Sequence, residues 1–195
     1  MRTIILLSAA SLALSACGSN SDEPAGTATS DAAVTGDMAA GAGAATGTNQ
    51  ESAMAGSNQQ FVDTVAASDA FEIQSSQLAQ TKATSKAVKD FAAMMIDHHT
   101  QSTADLKRAA LGASPSVLAS GQLTAAQRVD LDALRNAGAD FDKVYVQQQV
   151  AAHEAAKALL SDYSATGAPG PLRDFASKTV TVVSGHLDQA QKLPQ

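Results

Sequence analysis

Between Phe61 and Leu193 apolar side chains recur every three or four residues in four long runs, and no stretch alternates convincingly. A period near 3.6 places such residues along one side of a helix, whereas alternation would place them on one face of a strand. A sheet-based fold is therefore excluded, and four apolar stripes must be buried on one another. The first run covers about 58–81. The second, about 85–111, stops at Gly112 with Pro115 soon after, a usual C-terminal arrangement. A short helix then opens at Thr124, where Thr124 and Gln127 have the spacing of a capping box, and ends before Gly138. The third long run covers about 140–165 and stops at Gly167. The turn "GAPGP" leads into a last helix from Pro171, a residue suited to the first helical position, to about Leu193. The economical solution is all-α: an antiparallel four-helix bundle with a short extra helix in the second crossover.

At about 100° per residue, the side on which each polar residue falls can be read from spacing. In the first helix Phe61, Val65, Ser68, Glu72, Ser75 and Ala79 share a stripe, and Glu72 stands in its middle. In the second, Val88, Phe91, Ala92, Met95, His99, Ser102, Leu106 and Ala110 align. His99 is central, and His98 falls roughly a quarter-turn away on the flank. The third helix has a broad apolar face with His153 nearer its edge. In the last helix His186 shares a stripe with Phe175, Val183 and Ala190. Each long helix thus turns one polar residue inward: Glu72, His99, His153 and His186. All four fall near mid-helix, so in a bundle they meet at one level whichever way each helix runs.

The first residues have a different character. "MRTIILLSAASLALSAC" sets one early cation, Arg2, before an apolar run, the layout of an export signal. The run is shorter than the roughly 20 residues a spanning helix needs. Leu14, Ser15, Ala16, Cys17 and Gly18 resemble the bacterial lipoprotein signal, and Cys17 is the only cysteine. The resemblance implies a signal peptide over 1–16 and lipidation at Cys17. Two or three acyl chains hold durably, at about 0.8 kcal/mol per buried methylene. The chain is then expected in the cell envelope, attached to the membrane by its lipid. Gly18 and Ser19, with no aspartate, resemble the pattern sorted to the outer membrane, which implies its inner leaflet facing the periplasm. The stretch 17–57 is nearly all Ala, Gly, Ser, Thr, Asn and Asp without periodicity and reads as a disordered tether, followed by the helical domain over 58–195. The chain carries 13 Lys+Arg against 19 Asp+Glu, a net charge of −6, which becomes −7 once Arg2 leaves with the leader. An acidic chain lacks the footprint for nucleic acid.

The segments "FVDTVAASDAFEIQSSQLA", "VKDFAAMMIDHHTQSTADLKRAA", "ADFDKVYVQQQVAAHEAAKAL" and "LRDFASKTVTVVSGHLDQAQKL" resemble the bacterial family catalogued as a domain of unknown function, number four-one-four-two. The likeness covers about Phe61 to Leu193. It implies a ferritin-like architecture and an envelope location. The family's second-helix histidine falls on His99, its third-helix His-Glu pair on His153 and Glu154, and its last-helix histidine on His186. Where the family usually has aspartate before the second-helix histidine, this chain has His98.

Three readings of the polar residues stand side by side. Imidazoles suit Zn, Cu, Fe or Ni, and a carboxylate completes a shell of three histidines and one acid; a single transition-metal ion (Zn, Cu, Fe or Mn) would then sit on Glu72, His99, His153 and His186. Alternatively the same residues hydrogen-bond among themselves and fix helix register, a structural role with no cofactor. Third, the tethered domain binds another envelope protein. A ferritin-type di-iron centre is excluded, because it needs Glu-x-x-His pairs and the residues three before the histidines are Ile96, Val150 and Val183. No nucleophile-elbow or phosphate-loop motif is present, so an enzymatic activity has no support from motifs.

Overall fold

The computed structural model describes residues 42–194, so the leader, Cys17 and most of the tether lie outside the described residues. The described part is all-α: α1 (Ala42–Lys82), α2 (Lys86–Leu111), α3 (Ala125–Asn136), a 3-10 turn at Gly138–Asp140, α4 (Phe141–Thr166) and α5 (Pro171–Ala190). Periodicity located α2 to α5 to within about three residues at each end. The capping box is present: Gln127 N–H donates to Thr124 Oγ1 at 3.1 Å, and Thr124 N–H donates to Gln127 Oε1 at 2.9 Å. None of these helices is long and apolar enough to cross a membrane.

The start of α1 needs correction. The stretch 42–57 was expected to be disordered, with the first helix opening near Asn58, yet α1 begins at Ala42. Apolar periodicity is silent there, but Ala42, Ala44, Ala45, Ala53 and Ala55 are the strongest helix formers, and no proline interrupts them. Adding residues to an existing helix costs far less than nucleating one, so the packed part from Asn58 onward supplies the nucleus.

Each long helix packs on two others: α1 on α2 and α4, α5 on α4 and α2. The short α3 lies against α1 and α4, between two glycines in left-handed backbone, Gly121 (φ 63°) and Gly138 (φ 57°), a conformation that penalises a Cβ. Polar ties lock the ends. Asp142 accepts from Thr84 N, Thr84 Oγ1 and Ser85 N at 2.7–3.0 Å, joining the start of α4 to the α1–α2 turn. Tyr163 donates to Asn58 at 2.6 Å and stacks on Phe61 at 3.7 Å between ring centres.

The interior has two apolar clusters. One holds Phe61, Val65, Leu106, Leu160, Phe175 and Val183; the other holds Ala79, Val88, Met95, Tyr145, Val146 and Ala190. Moving along α1 and α5 the chain meets the first cluster and then the second; along α2 and α4 the order is reversed. On all four helices a buried polar segment lies between the two, comprising Asp69, Glu72, Ser75, Ser76, His99, Gln149, His153 and His186. The fold thus places a polar layer across the middle of an otherwise apolar core.

Candidate metal centre

Three helices each bring one imidazole into this layer: His99 from α2, His153 from α4 and His186 from α5. Their ring centres form a near-equilateral triangle with sides of 5.7, 5.6 and 5.4 Å. One nitrogen from each lies within 4.8 Å of the others, and all three residues are buried. The fourth long helix, α1, contributes the carboxylates of Asp69 and Glu72, which are 2% and 1% exposed.

The outer nitrogens are held, and this determines which nitrogens are left. His99 Nδ1–H donates to Asp69 Oδ1 at 2.8 Å, and the other carboxylate oxygen accepts from Thr103 Oγ1 at 3.2 Å. His153 Nδ1–H donates to the Gln149 carbonyl at 2.8 Å; since a carbonyl only accepts, the lone pair of His153 must be on Nε2. His186 Nε2 and His98 Nδ1 are 2.8 Å apart. With His186 donating, its lone pair stands on Nδ1. Nε2 of His99, Nε2 of His153 and Nδ1 of His186 have no hydrogen-bond partner in the protein. A buried polar atom left unpaired costs about 1–3 kcal/mol. Three imidazoles close enough to share an ion, each with its outer nitrogen engaged and its other nitrogen without a partner in the protein, make a candidate donor set for a metal.

Glu72 lies beside this triangle, outside the group of three. Its Oε1 is 3.8 Å from His153 Nδ1, and neither carboxylate oxygen has a hydrogen-bond partner. Below it Ser76 and Tyr145 share a hydrogen bond of 2.8 Å, and Gln149 donates to Ser75 Oγ at 3.3 Å.

The three histidines expected to converge do so, with Glu72 adjacent. His153, expected nearer the edge of its face, is 1% exposed, because α4 packs on both α1 and α5 and both halves of its apolar face are covered. His98 was expected to be a bystander on the flank. It is exposed, yet its ring reaches the outer nitrogen of His186. Asp69 was missed. It sits one turn before Glu72, and this i, i+3 spacing of two acids among Ala66, Ala67, Ala70 and Phe71 was the available signal.

The charges interact. Burial pushes the His99 imidazolium down, but the hydrogen bond to Asp69 and the charges of Glu72 and Asp69 together outweigh it, leaving its pKa above the ordinary value. Burial holds His153 below the ordinary value despite the nearby Glu72 charge. Burial, with the neighbouring His99, His153 and His98, lowers His186 to about 3. For His153 and His186 the unfolded chain therefore binds protons that the folded chain refuses. Stability from these two is present near neutrality and is lost as pH falls below the ordinary imidazole value of about 6.5, for His186 down to about 3. His99 acts in the opposite sense. With two groups against one, urea unfolding in chelator is expected to show net stability falling by on the order of a few kcal/mol from pH 7 to pH 4. An unchanged midpoint over that range would contradict neutral, buried imidazoles.

No curated protein and no solved structure matches this chain. One family model matches residues 43–193, nearly all of the described helices, including every residue of the polar layer. The chain belongs to the family described as Domain of unknown function (DUF4142).

Proposed function

We propose that this protein is an envelope lipoprotein whose ferritin-like antiparallel four-helix bundle holds one transition-metal ion on His99, His153 and His186. The three buried imidazole nitrogens without partners carry this reading. A purely structural polar core would be satisfied by its own neighbours. Here Glu72, Gln149 and all three histidines each keep at least one buried atom unpaired. The reversed order of the two apolar clusters on neighbouring helices supports the antiparallel arrangement. Three imidazoles suit Zn, Cu or Fe, with Mn the weaker candidate because it prefers oxygen ligands. Asp69, the Gln149 carbonyl and His98 orient the three rings, and Glu72 supplies nearby negative charge.

The test is metal content and melting. Protein purified without chelator is expected to retain close to one ion per chain. Stripping the ion should lower the melting temperature by roughly 10 °C when the ion had been in thousand-fold excess over its dissociation constant. Protein that holds no ion, and whose melting is indifferent to added Zn, Cu, Fe and Mn, would refute the proposal.

The anchor is proposed from residues 1–17, and the chain's place at the inner leaflet of the outer membrane from Gly18 and Ser19. Cys17→Ser is expected to move the protein from the membrane fraction to the soluble fraction. Unchanged sedimentation with membranes would count against lipidation.

A further inference from the structure

Next to the three imidazoles lies a cavity of about 620 Å³, bordered by all four long helices and by Gln127 and Asp130 of α3. This volume is within the range of small-molecule sites, roughly 300–1,000 Å³. Much of its wall is apolar, including Val65, Phe71, Leu159 and Val183, and Ala152 and Ala156 on α4 leave the room. At one side the wall is made by His99 and His186, two of the three residues that present unpaired nitrogens. Those nitrogens are themselves buried, so a cation held on them sits directly behind the two rings that line the cavity.

We infer that the cavity binds an uncharged, largely apolar molecule that directs one oxygen, a hydroxyl or a carbonyl, at the histidine centre. The apolar body follows from the walls. The single oxygen follows from the coordination that three imidazoles leave incomplete on an ion, so this part rests on the metal reading. The absence of charge follows from charge balance. Asp69 and Glu72 are both buried at the centre and already offset a divalent ion. A carboxylate entering would bring a further negative charge into a chamber whose lining already carries Asp69 and Asp130 and no lysine or arginine to pair it, and an ammonium group would meet the ion itself.

Cobalt(II) makes the centre visible, so the full chain loaded with cobalt is titrated at pH 8 with 1-decanol, decanoate and decylamine. The expected result is a saturable change in the visible cobalt bands with 1-decanol, at a concentration at least ten-fold below that needed for either charged probe. Ala156→Phe, which fills the chamber, is expected to remove the response while cobalt stays bound. Ala152→Met, a smaller intrusion, is expected to weaken it several-fold, and the retained cobalt spectrum reports that both variants are folded. Stoichiometric cobalt with no response to 1-decanol overturns the inference and leaves the metal reading intact, as does equal or tighter binding of decanoate. Protein that retains neither cobalt nor Zn, Cu, Fe or Mn overturns both.

Discussion

His153→Ala is expected to leave a protein that retains no metal, with an affinity loss larger than that of any change outside the three imidazoles. The side chain is 1% exposed, and its Nε2 is one of three nitrogens that can reach a shared ion. Two imidazoles then remain, and the ion loses one coordinate bond outright. Substitutions at the orienting residues are expected to be graded. Asp69→Asn replaces the carboxylate that fixes the His99 tautomer by hydrogen bonding at 2.8 Å; weakening such an outer partner typically costs 10- to 100-fold in affinity. His98→Ala removes the partner of His186 Nε2, and because His98 is exposed water takes its place, so the loss is expected at or below about 10-fold. Metal titrations by competition with a chromophoric chelator measure all three. If His98→Ala proves more damaging than His153→Ala, the assignment of inward nitrogens is wrong.

Glu72→Gln is expected to change stability in opposite directions with and without metal. In the metal-free protein the carboxylate is buried and neither oxygen has a donor. A neutral amide of nearly the same shape removes a buried charge and should stabilise the fold by about 1–3 kcal/mol, or roughly 5 °C in melting temperature for a chain of this size. With metal present the same change removes a negative charge that offsets the ion, and affinity should fall by at least about 10-fold. Thermal unfolding in chelator and at saturating metal provides the comparison. A loss of stability in both states would make Glu72 an ordinary member of the polar core with no part in cation binding.

Much of this arrangement is legible in residue spacing, and the exceptions have physical causes. His99 and His186 could be placed because each stands on an apolar stripe, and a 3.6-residue period fixes which side of a helix a stripe occupies; His153 stands on a broad face, and its full burial depends on the helices that cover both halves of it. Asp69 could not be placed by the stripe through Ser68 and Glu72. α1 packs against α2, α3 and α4, so it is buried well beyond one stripe, at Val62, Ala66, Ala67, Phe71 and Ser76 as well. The contact between His98 and His186 depends on two side chains on different helices, and neither spacing nor polarity on one helix encodes it. The early start of α1 is a matter of helix propensity, to which apolar periodicity is blind. The cavity is a difference between what alanines on α4 fill and what larger residues would have filled, a volume that becomes visible only when the helices are assembled.

The polar layer draws on every long helix, with contributions from Asp69 near the start of the domain to His186 near its end. No two-helix fragment contains the three imidazoles, so α2, α4 and α5 must all be in place before they meet. On the proposed reading, capture of an ion is a proofreading step on topology: a molecule with α2, α4 or α5 misplaced has no complete site to fill. On that reading the element is chosen after folding, from what the surrounding compartment then supplies.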